Sequence, residues 1–431
     1  MYDISLLNQN MVVFFSLIAA CACTFISTRL RKKWFGYRGF DIIAASVIAS
    51  VVIEGLVHLE YPTDQLPTLL WLMVLPFTFS AGLIIAAWKN KRPWLKWLSV
   101  GTCLFCFLFS LILVNGYYSF YPTVGSVFNV GTAESDPTTV YHSSTKSAQS
   151  TIQSSLYAKN RSLTGQIRKL SIPGVVSKFK ARSAYVYLPP VATGPVSVRL
   201  PVIVLTAGYP GAPENWVDSG IKTTMDHFAK LHNGVTPLVF MVDNTASLTN
   251  DTECVNSPRG NVETYLTDDV PTYIKDHYDV SSSSKQWAIG GLSMGGMCSF
   301  MLALRHPTVY DNFIDLGGET GPEVGSAQTT IDQLFYGSES SWAAHQPLFL
   351  LEDNRYDGMS GIFADGNGDS PSLLSGLRQA YTASEMSGID SVFEEIPGGH
   401  TFAVWQQTFK DNLPWLSNRL GATSCSVACK Q

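Results

Sequence analysis

Charge is scarce in this chain of 431 residues, where Asp, Glu, Lys and Arg together make up 15%. No Lys or Arg precedes Arg29, and none lies between Arg38 and Lys89. Those gaps leave four apolar stretches, residues 11–28, 41–59, 66–88 and 94–115. Each approaches or exceeds the roughly 20 residues a helix needs to cross a hydrocarbon core. Internal repeats, a phosphate-binding glycine loop and a basic stripe are also missing. Residues 1–120 hold nine Lys and Arg against five Asp and Glu, which leaves 20 against 29 beyond them. An acidic remainder without a basic stripe argues against a nucleic-acid partner, and no cofactor or metal is expected.

The basic residues that do occur set an orientation. Arg29, Arg31, Lys32, Lys33 and Arg38 separate the first two apolar stretches, and Lys89, Lys91, Arg92 and Lys96 border the last two. Loops rich in Lys and Arg stay in the cytoplasm, so a cell-membrane, multi-pass, four-helix transmembrane segment is expected, with the N-terminus and the C-terminal half extracytoplasmic. Ile18-Ala19-Ala20-Cys21 resembles a lipoprotein cleavage box, but no basic residue precedes its apolar run, so the first stretch reads as an uncleaved span. Cys103-x-x-Cys106 has redox spacing but lies within an apolar stretch, where two small embedded side chains fit better. Glu54, in the outer half of the second stretch, reads either as functional or as snorkelling to the interface.

Three segments follow: residues 1–120 as the membrane domain, 121–169 as a Ser/Thr-rich extracytoplasmic linker, and 170–431 as the soluble domain. In the last, strand-like runs recur at 184–188, 201–206, 237–242, 287–290, 312–316, 361–364 and 392–396, with helix-length segments in most gaps. Alternating strands and helices indicate a mostly parallel sheet covered on both faces.

Gly291-Leu292-Ser293-Met294-Gly295 sits between the run 286–289 and a helical segment to Arg305. Strand, Gly-x-Ser-x-Gly turn and helix form the nucleophile elbow of an α/β-hydrolase. His400, in Pro397-Gly398-Gly399-His400, follows the last strand-like run and fits the final slot of the order Ser, acid, His. The acid should end the strand at 361–364, with Asp369 the first choice, Asp365 the second and Asp357 the third. Asp365-x-Asn367-x-Asp369 also copies the start of a calcium loop, but Ser370 and Gly376 stand where that loop needs glycine and glutamate. The oxyanion hole should combine the N–H groups of Met294 and Tyr209, the latter in Ala207-Gly208-Tyr209-Pro210-Gly211. Cys254, Cys298, Cys425 and Cys429 are even in number, as in an oxidising compartment, and the favoured pairing is Cys254–Cys298 with Cys425–Cys429.

The Ala207–Gly211 loop, Gly291-Leu292-Ser293-Met294-Gly295-Gly296 and Pro397–His400 with Trp405 make residues 170–420 resemble the putative-esterase family of esterase D, feruloyl esterases and secreted mycolyltransferases. The whole chain is similar to membrane-anchored members of that group in Gram-positive bacteria. The resemblance implies an α/β-hydrolase fold and triad chemistry. Ala207 departs from relatives that carry His or Asp there. The expected function is a serine esterase acting on membrane lipids or another envelope acyl ester, an aminoacylated lipid among them. An acyltransferase moving the acyl group to a sugar or lipid hydroxyl, and a non-catalytic lipid-binding scaffold, are the alternatives.

Overall fold

The computed structural model describes residues 9–29, 68–88, 91–118, 134–135, 164–193 and 199–422. The chain divides into two compact units, Met1–Val130 and Gly131–Gln431.

In the first unit, three helices are described: α1 (Gln9–Arg29), α2 (Thr68–Trp88) and α3 (Pro93–Tyr118). Their contacts are made by small and medium side chains. Ile26 meets Leu83, Ala86 and Ala87, and Ala19 meets Cys106 and Phe109. Buried Ser80 and Ser99 return their hydroxyls to backbone carbonyls one turn back. Large apolar side chains such as Leu17, Ile85, Trp97 and Leu104 face outward. Small residues at the contacts and bulky apolar ones outside is the pattern of helices in lipid.

The four-span expectation is narrowed here. Among the described residues one helix, Pro93–Asn115, is long and apolar enough to cross a bilayer, with mean hydropathy 2.3. Phe14–Arg29 and Pro76–Trp88 are shorter apolar helices. At 1.5 Å per residue, fewer than 18 residues fall short of a core about 30 Å thick. The stretch 41–59, with Glu54 and His58, lies outside the described residues. Cys103 and Cys106 are free thiols, as are Cys21 and Cys23.

The second unit is built on a nine-stranded sheet. Its strands are β1 (Glu134–Ser135), β2 (Gln166–Leu170), β3 (Ala184–Leu188), β4 (Val202–Thr206), β5 (Leu238–Val242), β8 (Trp287–Leu292), β9 (Asn312–Leu316), β10 (Ser360–Gly366) and β11 (Asp390–Ile396). A small hairpin, β6 (Asn256–Ser257) with β7 (Gly260–Asn261), stands apart. The sheet order is β1-β2-β3-β5-β4-β8-β9-β10-β11, and only the pairings of β3 with β2 and β5 are antiparallel. The sheet therefore begins before residue 170 and takes in part of the expected linker. β2 reads Gln-Ile-Arg-Lys-Leu, an edge-like alternation with too little apolar content to stand out.

Central strands β3, β4, β5, β8, β9 and β10 are buried along their whole length, as a sheet covered on both faces requires. Four helices are used below: α4 (Ile221–Leu231), α5 (Met294–Arg305), α6 (Pro371–Met386) and α7 (Phe402–Arg419). Phe300 of α5 packs on Phe313 and Phe363 of β9 and β10 with ring centroids 5.0 Å apart, and those two are 5.1 Å apart. This aromatic triangle locks α5 to the sheet. The carboxyl ends of β4, β8, β9, β10 and β11 all open on one edge, where the loops carrying Tyr209, Ser293, Asp369 and His400 meet.

Candidate active site

Ser293 is the sharp point between β8 and α5. Its φ and ψ are 53° and −129°, a conformation that L-residues with a side chain rarely adopt. The turn is held from both sides: Ser293 N–H donates to Leu316 O at 2.8 Å, and Ser293 O accepts from Gly296 N–H at 2.7 Å. Its glycines are required by close approach. A Cβ on Gly291 would collide with the backbone of Gly295, and one on Gly295 would lie 2.6 Å from Ala207 O. The glycines thus let β8, α5 and the Ala207 loop converge on one hydroxyl.

His400 reaches that hydroxyl. Its Nε2 is 2.9 Å from Ser293 Oγ and its Nδ1 is 2.6 Å from Asp369 Oδ2. The imidazole stands edge-on to the Trp405 ring at 4.6 Å. Backbone bonds tie the acid loop to the histidine loop: Asn367 N–H donates to Ile396 O at 2.8 Å and Gly368 N–H to Gly398 O at 2.6 Å. Gly398, at φ 146°, makes the tight turn that lets this happen.

The three candidate acids separate clearly. Asp369 bonds His400, and Asp365 Oδ2 stands off at 4.0 Å. Asp357 lies at the opposite end of β10, 73% exposed and paired with Arg355, so it has no part in the site. Burial alone would lower the His400 value. The hydrogen bond and charge of Asp369, with Asp365 and Glu319 behind it, push it up to about 9. Burial would raise Asp369, but its bond to His400 outweighs this and holds it below the usual carboxylate range.

The calcium-loop reading does not fit this arrangement. Asp369 faces His400 rather than an oxygen cage, with its other oxygen accepting Ser370 N–H at 2.6 Å. Asp365, Asp369 and His400 do bring donor atoms within 4.8 Å of one another, but both ring nitrogens of His400 are already committed.

The loop 207–211 runs over the serine. A Cβ on Gly208 would lie 3.0 Å from Ser293 Cβ, and Tyr209 follows at once; Met294 opens α5 on the other side. Two side chains outside the sequence reading clamp this loop. Asn244 Nδ2 donates to Ala207 O at 2.9 Å, and an Arg182 guanidinium N–H to Gly211 O at 2.8 Å. Arg182 is itself held by buried Asp243 at 2.6 Å, and Asn244 O accepts from Thr252 Oγ1 at 2.6 Å. A disulfide joins Cys254, in the segment after β5, to Cys298 on α5, so both clamps are fixed to the nucleophile helix. Cys425 and Cys429 lie outside the described residues. Asp243, an acid ending a buried strand, carried the one sequence signal that could have pointed here.

Other histidines serve packing. His306 and His345 bond Glu263 at 2.7 and 3.0 Å beside Arg305, while His232 and His277 bond backbone carbonyls.

An eight-stranded core with one antiparallel member, a strained serine after β8, and a histidine and acid on the last two strand ends define a serine hydrolase of the α/β-hydrolase class. The model of the putative esterase family matches residues 179–416, more than half of the chain, and the chain belongs to that family. An uncharacterized protein of Corynebacterium glutamicum is 32% identical over 418 residues, covering 88% of this chain and 95% of that one. Among solved structures, a ferulic acid esterase superposes with TM-score 0.51 at 18% identity, covering 60% of this chain and all of that one. The S-formylglutathione hydrolase of Agrobacterium tumefaciens gives TM-score 0.51 at 19% identity, over 61% and 98%. These two likenesses concern the fold.

Proposed function

We propose that the protein is a membrane-anchored, extracytoplasmic serine esterase that hydrolyses an acyl ester of a lipid or other envelope component. The observation that carries the reading is the continuous hydrogen-bonded chain Ser293–His400–Asp369. Ser293 Oγ attacks the ester carbonyl as His400 Nε2 takes its proton. Asp369 holds the Nδ1–H and stabilises the imidazolium. The N–H groups of Met294 and Tyr209 receive the oxyanion, each worth on the order of 100-fold in rate. The C–O bond then breaks, the alcohol leaves with the proton from His400, and an acyl-Ser293 ester remains. Water, deprotonated by His400, attacks that ester, and the acid and free Ser293 are released.

Location rests on separate observations. Lys89, Lys91, Arg92 and Lys96 gather on the N-terminal side of the span at 93–115, which places everything after residue 115 outside by the positive-inside rule. The Cys254–Cys298 disulfide suits the same oxidising side. Anchoring holds the site near surface-bound substrates at raised effective concentration. Glu319, close enough to His400 to raise its value, favours acyl groups that carry an amine, as in an aminoacylated lipid.

The test is hydrolysis of short-chain and aminoacyl esters by the full-length protein in detergent, against Ser293→Ala. Acid release that disappears in the variant supports the esterase. Acyl transfer to an added sugar or lipid hydroxyl in preference to water would make it an acyltransferase. Equal rates with and without Ser293 would leave a non-catalytic, lipid-binding scaffold.

A further inference from the structure

One acid in the site has no task in the mechanism above. Asp365 ends β10 with no exposed surface, and neither carboxyl oxygen has a hydrogen-bond partner. Its Oδ2 lies 4.0 Å from His400 Nδ1, but that N–H is already given to Asp369. Gly317, at φ 68°, packs its Cα against the carboxyl, so a Cβ there would lie 3.0 Å from both oxygens. A carboxylate sealed in such a place needs a donor or a cation of its own. The surrounding groups supply none. Glu319, from the loop after β9, bears a like charge, and Glu395, the register neighbour on β11, is paired with Arg378. A carboxylic acid, by contrast, needs only an acceptor, and ionised Asp369 has lone pairs to spare.

We propose that Asp365 is a positioning residue that keeps its proton and donates it to Asp369, so that the two carboxyls present one negative charge and one fixed oxygen to His400. No bond to substrate is made or broken by this residue; the proton stays between the acids through the cycle. Burial first, and then the neighbouring Asp369, push Asp365 up to about 8, which agrees with the geometry. The consequence is a brake at alkaline pH. When Asp365 loses its proton, a second charge faces His400, the imidazolium is held more tightly, and the free base appears only at higher pH.

This inference rests on the triad reading, and the experiment separates the two. Initial rates with p-nitrophenyl acetate are measured from about pH 5 to pH 10 for the full-length wild type, Asp365→Asn and Asp365→Ala, with fluorophosphonate labelling of each. Asn keeps an N–H for Asp369 but cannot ionise. In Asp365→Asn the acid limb of kcat/KM should move to lower pH by on the order of one unit, with KM unchanged. Asp365→Ala removes the donor as well, and its kcat should fall about tenfold below that of Asp365→Asn. The carboxylic-acid carbonyl band of the wild-type infrared spectrum should be diminished in the Asn variant, a readout independent of turnover. A wild type that labels at Ser293 while the Asn limb stays in place, or an Asn variant as slow as Ala, overturns the role of Asp365. A wild type that does not label overturns the triad reading itself.

Discussion

Asp369→Asn changes almost no volume and removes the charge that faces His400 Nδ1 at 2.6 Å. Two losses follow. The imidazolium formed in the transition state loses its counter-charge, and the amide favours the tautomer with its proton on Nε2, where it faces Ser293 Oγ at 2.9 Å and cannot act as a base. The first loss can be sized from His400, raised from 6.5 to about 9 chiefly by Asp369. At 1.36 kcal/mol per unit this is about 3 kcal/mol, or a few hundredfold in rate. The tautomer adds to it, and the same exchange in a protease triad costs about 10⁴ in kcat. A fall of about 10³ to 10⁴ in kcat/KM is therefore expected for Asp369→Asn. Asp365→Asn should lose far less. The assay is steady-state hydrolysis of p-nitrophenyl acetate, with circular dichroism to check folding. If the Asp365 variant proved the slower of the two, the assignment of Asp369 would be wrong.

Other outcomes are equally specific. The wild-type kcat/KM should rise with pH through the His400 value of about 9, because the imidazole must be neutral to accept the serine proton; a rise complete by pH 7 contradicts the site's electrostatics. Asn244→Ala, which frees Ala207 O and the loop over Ser293, should lower kcat about tenfold or more with little change in KM, as loss of oxyanion alignment predicts. Removing the Cys254–Cys298 bond, which spans 44 residues, should cost up to about 4 kcal/mol by the chain-entropy model, read as a lower Tm of the double Ala variant. For Asp365 the sign runs the other way from a salt-bridged acid. Its raised value means that the folded state binds a proton the unfolded state has released above pH 4, so stability is lost as pH rises toward 8. Asp365→Asn should remove that burden, worth up to about 4 kcal/mol at pH 7, and raise Tm more at pH 8 than at pH 4.

Much of the catalytic unit could be read from the sequence because its signals are local. The elbow needs glycines within two residues of Ser293, and β4, β5, β8, β9 and β10 are continuous apolar runs closed by turn residues. Asp369 could be ranked but not fixed, since Asp365 and Asp369 both stand at the end of one strand and only packing against His400 separates them. The clamp on the oxyanion loop left no trace in sequence. Arg182, Asn244 and Ala207 come together from positions tens of residues apart, and each alone reads as an ordinary polar or small residue. β2 and β1 were invisible because an edge strand needs little apolar content. In the N-terminal unit the error ran the other way: low charge and high hydropathy were counted as spans, whereas helix length decides crossing, and one described helix satisfies it.

The central claim is that the hydroxyl of Ser293 is a nucleophile made reactive by His400. Mapping the site of a fluorophosphonate adduct by mass spectrometry tests this most directly. The account predicts one phosphonylated peptide, containing Ser293, formed rapidly in the wild type and at least about 100-fold more slowly when His400 is replaced by Ala. An adduct on another residue, or labelling at Ser293 that is indifferent to His400, would contradict it.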